Sequence, residues 1–568
     1  MYDLIIKNGT IIDGSGKKRF IGDIAVSGGK ISKIGTLTAE EAIDAKEVID
    51  ATGKLVTPGW VDIHTHYDGQ ATWDPILAPS SWHGVTTVVM GNCGVGFAPV
   101  RPDAHNFLIE LMEGVEDIPG SALAEGIDWQ WESFPEYLDA LEKMPRTIDV
   151  ATQVPHGPIR AYVMGERCNG DEDPTEEELQ QMQKLVREGI EAGALGFSSS
   201  RTLLHKDVHG EYVPGTFAGS DEMLQLGLAM KGLDHGVFEL VSDNLGDDDE
   251  WQWVKQFARE TGKKVTLIAT SAAAYENGKL YKIAEEARKE GMEILPQMAG
   301  RPTGVLHGLQ SNFHAFMGHP TYKSEIHRLS LEEKVARMKD PATREKILSE
   351  ESGIKSAMLG SMEQLMSRVF PLGENPNYEP DYEDSVAGIA ESTGRQPLEV
   401  MYDLLVAQDG KELFYQPLGG YSNYNLEAQR AVMLHPNVIM GLSDGGAHCG
   451  VIADAGMPTF IMTHWGRDRT KGEKLPLEFI VQSLTSKTAN TYGMTDRGLL
   501  EKGLIADINV IDFEALRLFR PEAIFDLPTG GKRLVQRVEG YDYTIKSGEV
   551  TFDHGEHTGK LPGGLIRG

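Results

Sequence analysis

The chain has 568 residues, of which 54 are Lys or Arg and 85 are Asp or Glu, giving a formal net charge of −31 at pH 7. A hydrophobic fraction of 40% with 24% charged residues is ordinary for a globular protein and excludes global disorder. The acidic balance argues against binding to nucleic acid or to an anionic membrane, because phosphate-rich partners attract basic patches.

The cellular compartment follows from three features of the sequence. Three cysteines in so long a chain exclude a disulfide framework. The apolar runs are all too short to span a membrane, and the first residues do not follow the pattern of a secretory signal. We therefore expect a cytoplasmic protein.

Strand patterns occupy both ends of the chain. Within residues 1–56, Gly28 and Gly29 separate two apolar runs, which is typical of a hairpin. Similar patterns return at 506–511 and 533–538. Because chain termini often lie close together, we expect residues 1–56 and 497–568 to form one small β-sandwich domain.

Between these ends, apolar strand-like runs alternate with helical patterns such as 175–190 and 280–290. We identify eight such runs, at 55–66, 84–94, 147–160, 193–200, 236–244, 264–271, 292–301 and 437–448. This alternation predicts an α/β fold with a TIM (β/α)8 barrel over 57–496, and a doubly wound open sheet is the alternative. The connection 302–436 is too long for one helix, so we expect it to hold extra helices and to cover one barrel face.

The strongest chemical signal is a pair of histidines, His64 and His66, at the end of the first apolar run. Residues two apart on a strand point to the same side, and the carboxyl end of a barrel strand faces the active site. Neutral imidazoles bind zinc and similar divalent ions. The pair therefore predicts a metal site, with surface histidines on a turn as the alternative.

Two further residues follow predicted strands. Cys93 lies in a glycine-rich turn at the end of the second run, where its thiol would ionise beside a metal or else pack as a structural cysteine. Asp444 ends the last run and is followed by two glycines. Such an aspartate could bind a metal and accept a proton from water, or it could simply form a turn.

Taken together, these segments resemble the amidohydrolase superfamily, and in particular the D-aminoacylase (N-acyl-D-amino-acid deacylase) group. The segments that carry the resemblance are 2–66, 91–94, 154–160, 193–198 and 495–508. The resemblance implies a barrel with a small sheet domain from both termini, a divalent metal that is usually zinc, and hydrolysis of an amide bond. It also implies that Cys93 is a metal ligand.

The sequence departs from this group at two strands. Its members carry metal-binding histidines at the ends of the fifth and sixth strands, whereas 237–244 and 265–271 contain none, and no lysine ends the fourth strand. Glu239 or Asp243 could substitute, since carboxylates also bind zinc, although either could be a capping or ion-paired acid. We therefore predict one zinc ion per chain and leave a second ion open.

The mechanism follows from what amide hydrolysis requires. His64, His66 and Asp444 would hold the metal, with Cys93 as a further ligand. The metal would activate water and polarise the carbonyl, while Asp444 would move the proton from the water to the leaving nitrogen. The expected substrate is a small-molecule amide, an N-acyl amino acid in particular.

Three more residues follow predicted strands and could contact the substrate. His156 could donate a hydrogen bond to the carbonyl, and either Arg201 or Arg301 could bind a substrate carboxylate through two hydrogen bonds. A structural role is the alternative for each of them.

Two other functions remain open at this point. One is a cyclic amide or imide hydrolase on the same barrel, for which both arginines would be dispensable. The other is a non-catalytic binding or assembly barrel, which the missing histidines favour and the retained His64, His66 and Asp444 oppose. A homo-oligomer is compatible with either.

Overall fold

The computed structural model describes residues 1–38, 40–41, 45–269, 279–353, 365–418, 420–421 and 423–568. Its strands are β1 (Tyr2–Ile11), β2 (Phe20–Ser27), β3 (Lys30–Gly35), β4 (Ala45–Asp50), β5 (Leu55–Pro58), β6 (Trp60–Asp62), β7 (Val85–Met90), β8 (Asp149–Thr152), β9 (Val154–Pro155), β10 (Gly196–Arg201), β11 (Val237–Ser242), β12 (Lys264–Ile268), β13 (Ile294–Met298), β14 (Gly304–His307), β15 (Phe370–Pro371), β16 (Phe414–Pro417), β17 (Ile439–Met440), β18 (Ile508–Ile511), β19 (Arg517–Leu527), β20 (Gly531–Glu539), β21 (Tyr541–Lys546), β22 (Glu549–Asp553) and β23 (Glu556–His557).

The α-helices of the same residues lie mostly between these strands. They are α1 (His105–Glu116), α2 (Gly120–Gly126), α3 (Phe134–Glu142), α4 (His156–Met164), α5 (Glu176–Glu191), α6 (Ser220–Leu228), α7 (Asp248–Thr261), α8 (Lys279–Lys289), α9 (Leu331–Lys339), α10 (Pro341–Ser349), α11 (Val386–Thr393), α12 (Pro397–Leu405), α13 (Glu427–Met433), α14 (Met457–Phe460), α15 (Leu477–Leu484) and α16 (Ser486–Thr491). No helix in this part of the chain is both long and apolar enough to cross a bilayer.

One sheet joins the two ends of the chain. Its strands run in the order β23-β22-β21-β18-β5-β1-β2-β3, and β4 also pairs with β1. Gly28 and Gly29, with φ of 58° and 75°, form the predicted hairpin turn between β2 and β3. The run 533–538 does not join this sheet, because it lies in β20, which pairs with β19 in a separate two-stranded sheet.

Nine parallel strand segments follow one another in chain order in two sheets through the middle of the molecule. One sheet is β6-β7-β8, the other runs from β9 through β10, β11, β12 and β13 to β17, and one residue separates β8 from β9. A parallel bridge between Thr65 and Gly445 links the segment after β17 to the segment after β6. The carboxyl ends of these strands therefore meet at one edge, where the predicted site residues lie.

The observed strands are shorter than the predicted runs: 437–448, for example, is reduced to β17, and residues 270–271 of the run 264–271 lie outside the described residues. The run 55–66 divides at Gly59 into β5, in the terminal sheet, and β6, in the parallel series. Gly59 packs so closely on the Thr86 side chain that a Cβ atom would overlap it. The run 147–160 ends as a strand at Pro155, and His156 is instead the first residue of α4.

The connection 302–436 holds the additional helices α9 to α12, as predicted, around a core of its own. Its strands β14, β16 and β15 form a small antiparallel sheet. The backbone N–H groups of Leu306 and Asn312 donate to the carbonyls of Val451 and Gly450, at 2.7 and 2.8 Å. The start of this connection therefore lies against the loop that follows β17.

Candidate metal centre

Three ligand-type side chains converge at the carboxyl ends of β6 and β7. One donor atom from each of His64, His66 and Cys93 lies within 4.8 Å of the other two. The residues are 1%, 1% and 5% exposed, and Cys93 Sγ is 3.5 Å from His64 Nε2. Two imidazoles and a thiol in this arrangement form a donor set suited to zinc.

The backbone around Cys93 explains how its side chain reaches the histidines. Cys93 has a φ of 56°, a conformation that side-chain-bearing residues adopt rarely. The Asn92 side chain donates to the carbonyls of Thr65 and Val89, both at 3.0 Å, and so ties this turn to the histidine segment. The turn is thus fixed by contacts that orient the thiol inward.

Asp444 completes the centre from the loop after β17. Its Oδ1 atom lies 3.6 Å from His64 Nε2 and 4.0 Å from His66 Nε2. Burial, followed by charge repulsion from Asp454 and Asp62, raises the pKa of Asp444 to about 8. A bound cation would favour the carboxylate form and so reverse this shift.

The protonation of the other donors also fits a metal. Burial lowers the pKa of His64 to about 3 and that of His66 well below its usual range, so both rings are neutral near pH 7 and able to bind a metal. Burial and then the charge of Glu239 raise the pKa of the Cys93 thiol, which a metal would deprotonate.

A further carboxylate, Glu239 on β11, lies against this cluster. It is fully buried, and its Oε2 accepts a hydrogen bond of 2.9 Å from the backbone N–H of Cys93. Its Oε1 has no hydrogen-bond partner among the described residues, and burial raises the pKa of Glu239 to about 8. Asp243 is engaged elsewhere, since it accepts hydrogen bonds of 2.9 Å from Thr202 Oγ1 and the N–H of Leu203.

The comparison with known proteins decides the family. The family model of the amidohydrolase family matches residues 47–552. The chain belongs to the amidohydrolase family. The prediction of a hydrolase in the amidohydrolase superfamily is thereby confirmed.

Three relatives of this amidohydrolase are informative. D-aminoacylase from Alcaligenes xylosoxydans xylosoxydans is 25% identical over 575 residues, which cover 100% of this chain and 97% of that protein. A solved structure of D-aminoacylase, described by a binuclear centre with one-metal activation and second-metal attenuation, has a TM-score of 0.64 at 21% identity. N-acyl-D-glutamate deacylase from Bordetella bronchiseptica, solved with zinc and a phosphonate inhibitor, has a TM-score of 0.63 at 22% identity.

Both structural matches cover 100% of this chain and 100% of the other chain. At these identities they establish the fold alone: the chain shares the α/β fold of these structures, which implies a TIM barrel with an additional domain. The resemblance to the D-aminoacylase group is thereby confirmed as well.

The amidohydrolase engages its three predicted substrate residues in contacts within the protein. His156 is fully buried, and its ring nitrogens lie 2.8 Å from Ser199 Oγ and 3.0 Å from Glu222 Oε1. Arg201 forms an ion pair with Glu250. These contacts within the protein stabilise the positions of both side chains. Their roles in substrate binding stay predictions.

Arg301 is the more buried of the two arginines. Its Nη2 lies 2.7 Å from Asp454 Oδ1, both side chains are 2% exposed, and the guanidinium lies 4.0 Å from the centre of the Tyr378 ring. Because the charge is already paired and buried, a substrate carboxylate would have to compete with Asp454.

Three residues at the centre of this amidohydrolase were not predicted from the sequence as site residues. Glu116 lies 3.2 Å from His66 Nδ1 and 3.5 Å from His448 Nε2. Asp68 is buried, which raises its pKa to about 7. Asp68 and His448 follow the predicted ligands within four residues and could have been found, whereas Glu116 ends a helix and carries no local signal.

Cys93→Ala tests the thiol as a ligand. We expect the variant to fold and to bind zinc more weakly, because one of the converging donors is lost. The measurement is zinc affinity by competition with a chelator, together with the thermal unfolding temperature of the metal-free protein. An unchanged zinc affinity with a lower unfolding temperature would mean that the thiol only packs.

Proposed function

We propose that this amidohydrolase binds one zinc ion between His64, His66, Cys93 and Asp444 and hydrolyses the amide bond of an N-acyl amino acid. The observation that carries the proposal is the buried convergence of two neutral imidazoles, a thiol and a carboxylate at the strand ends. D-aminoacylase and N-acyl-D-glutamate deacylase support the substrate class.

The metal and the surrounding residues have separate roles in hydrolysis. When bound, zinc lowers the pKa of water and polarises the scissile carbonyl. The Asp444 carboxylate accepts the proton of the attacking water and then delivers it to the leaving nitrogen, which would otherwise depart as an unstable anion. His64 is oriented through its backbone N–H, which donates to Asp62 Oδ1 at 3.2 Å.

The number of ions depends on Glu239. Its unpaired Oε1 offers one carboxylate oxygen where relatives of the group carry histidine, and Asp68 is a second buried acid nearby whose charge acts on Cys93. One ion is the proposal, since a single set of mutually close donors is present in the described chain.

Elemental analysis of the purified protein tests the metal centre. We expect about one divalent ion per chain, because one set of three or four donors matches one tetrahedral site. His64→Ala combined with His66→Ala should lose that ion, because half of the donor set is gone. Two tightly held ions per chain would contradict the one-metal proposal and point to Glu239.

Hydrolysis is tested with the D and L enantiomers of N-acyl amino acids, by release of the free amine. Zinc-loaded enzyme should hydrolyse the amide, and the metal-free enzyme should not until zinc is restored. A zinc-loaded enzyme that hydrolyses neither enantiomer would contradict the proposed substrate class.

One observation favours a second candidate, a cyclic amide or imide hydrolase. Both arginines predicted to bind a substrate carboxylate are already paired with acids. A ring substrate without a free carboxylate would need neither. The test compares kcat/KM for an N-acyl amino acid, for its carboxamide and for a hydantoin. A higher kcat/KM for the free acid than for the carboxamide is expected only if the enzyme is an N-acyl amino acid hydrolase.

We also propose that the residue ranges 1–56 and 497–568 form the small β domain and that 57–496 forms the barrel. The pairing of β5 with both β1 and β18 supports a shared sheet. The chain crosses to the parallel strands at Gly59, between β5 and β6.

A further inference from the structure

Exposed apolar side chains are concentrated in the loop that follows β10. Leu203, Leu204, Val208 and Phe217 are 54%, 62%, 44% and 42% exposed. Eleven large hydrophobic side chains are exposed in the described part of the chain, and these four lie within fifteen residues of one another. We call residues 203–217 the apolar loop.

The apolar loop is held against the helix that ends in the metal centre. Gly114 of α1 packs directly on the backbone of Asp207, where a Cβ atom would overlap the loop. His209 Nε2 lies 3.3 Å from Glu110 Oε2 on the same helix. Two residues beyond Gly114, α1 ends at Glu116, which contacts His66.

The first turn of the loop borders the centre from the other side. His205 Nδ1 lies 2.9 Å from Ser200 Oγ on β10. Ser200 also packs on Gly94, the residue after Cys93, where a Cβ atom would lie 3.0 Å from the Ser200 backbone nitrogen. The exposed Leu203 and Leu204 directly precede this histidine in the chain, so they lie within two residues of a side chain hydrogen-bonded to Ser200.

We infer that the apolar loop binds the acyl chain of the amide substrate, and that the enzyme prefers medium or long unbranched acyl groups over acetyl. This inference rests on the proposed hydrolysis of N-acyl amino acids. An amide substrate extends from its scissile bond in two directions, and an uncharged chain gains from covering exposed leucines. Each methylene fully removed from water is worth about four-fold in binding.

The test compares N-acetyl, N-butanoyl and N-octanoyl derivatives of one amino acid that the enzyme hydrolyses. We expect kcat/KM to be at least about ten-fold higher for the octanoyl derivative than for the acetyl derivative. Full burial of every added methylene would give a larger ratio. Leu203→Ser with Leu204→Ser should lower that ratio several-fold. Ile21→Ser, at a 78% exposed site in the terminal sheet, is the matched control and should leave the ratio unchanged.

The outcomes distinguish a failure of the proposed function from a failure of the acyl-chain inference. If no chain length is hydrolysed, the proposed function fails. If acetyl and octanoyl derivatives are hydrolysed equally, or if the double variant keeps the wild-type ratio, the acyl-chain inference is wrong. Light scattering is measured alongside, since a double variant that dissociates an oligomer without changing the ratio would make the loop a subunit interface.

A separate observation concerns Glu116, the last residue of α1. Its carboxyl is 1% exposed and lies between two imidazoles, with Oε1 3.2 Å from His66 Nδ1 and Oε2 3.5 Å from His448 Nε2. Its backbone carbonyl also accepts a hydrogen bond from the N–H of His448. Glu116 thus joins the first and last loops of the centre.

We propose that Glu116 is a positioning residue for the metal ligand His66. A charged carboxylate 3.2 Å from Nδ1 favours the tautomer with its proton on Nδ1, which leaves Nε2 unprotonated on the side of Asp444, 4.0 Å away. The carboxylate then fixes both the tautomer and the ring orientation. Loss of such a partner weakens metal binding by about 10- to 100-fold in metalloproteins.

The test measures zinc affinity of the metal-free protein by chelator competition. Glu116→Gln should weaken zinc binding about ten-fold, because the amide cannot reproduce the charge. Glu379→Gln is the matched control, since Glu379 Oε2 lies 3.0 Å from His464 Nε2 in another buried pair, and its zinc affinity should stay at the wild-type value.

Glu116→Asp is a second variant, which keeps the charge and shortens the reach. Wild-type affinity in both Glu116 variants, or an equal loss in Glu379→Gln, would overturn the positioning role. Absence of zinc binding in the wild-type protein would instead overturn the metal centre itself.

Discussion

Asp444→Asn is expected to lower turnover by at least ~10²-fold while most of the metal stays bound. His64, His66 and Cys93 still converge in the variant, so the site keeps three donors. An amide cannot accept the proton of the attacking water at pH 7, because it has no basic oxygen in this range. The loss should therefore appear in kcat rather than in metal content.

The pH profile gives the sign of the effect. A general base works in its ionised form, so the wild-type rate should be low at acidic pH and rise as Asp444 loses its proton. Burial places the pKa of Asp444 at about 8 without a metal, and a cation lowers it, so the rise should lie below about pH 8. This limb should be absent in Asp444→Asn, and near-normal turnover with full metal would assign the proton to another group.

Arg301→Met is expected to destabilise the protein by about 3–5 kcal/mol, because it leaves the buried Asp454 carboxylate without its partner. The methionine also loses the stacking of the guanidinium on Tyr378, 4.0 Å from the ring centre. Equilibrium denaturation in urea, at fixed zinc concentration, measures the change. Arg337→Met is the control, since its pair with Glu325 is largely exposed and should contribute less than about 1 kcal/mol.

The same experiment decides what Arg301 does. Loss of stability with unchanged KM in the folded fraction would mean a structural arginine. A raised KM with unchanged stability would mean that the guanidinium leaves Asp454 to bind substrate, as the sequence analysis expected.

The convergence of the candidate ligand side chains was predictable because they follow apolar runs at the carboxyl ends of adjacent strands. His64, His66, Cys93 and Asp444 each have such a run before them. The position of Glu116 was not predictable. Glu116 lies 23 residues beyond Cys93, at the end of helix α1, and reaches the centre through tertiary packing alone. The same limit applies to ion pairs such as Arg301 with Asp454.

The fold was predictable in its alternation and less so in its boundaries. The domain boundary predicted at residues 56 and 57 lies close to Gly59, but the apolar run 55–66 continues through it, so β5 and β6 were expected as one strand. His156 follows an apolar strand and looks like its last residue, but Pro155 ends the pairing and α4 begins at once. The contacts that divide β5 from β6 come from residues distant in the chain, whereas the strand before His156 ends at its neighbour Pro155.

The terminal sheet has a consequence for how the protein is made. β5 lies between β1 and β18, and its Pro58 pairs with Ile508, about 450 residues later in the chain. At the usual speed of a ribosome, roughly 20 to 90 s pass between the synthesis of these two partners. During that time β5 has an unpaired edge, open to other chains. Growth at lower temperature or with chaperones should therefore raise the yield of folded enzyme more than stabilising its centre would.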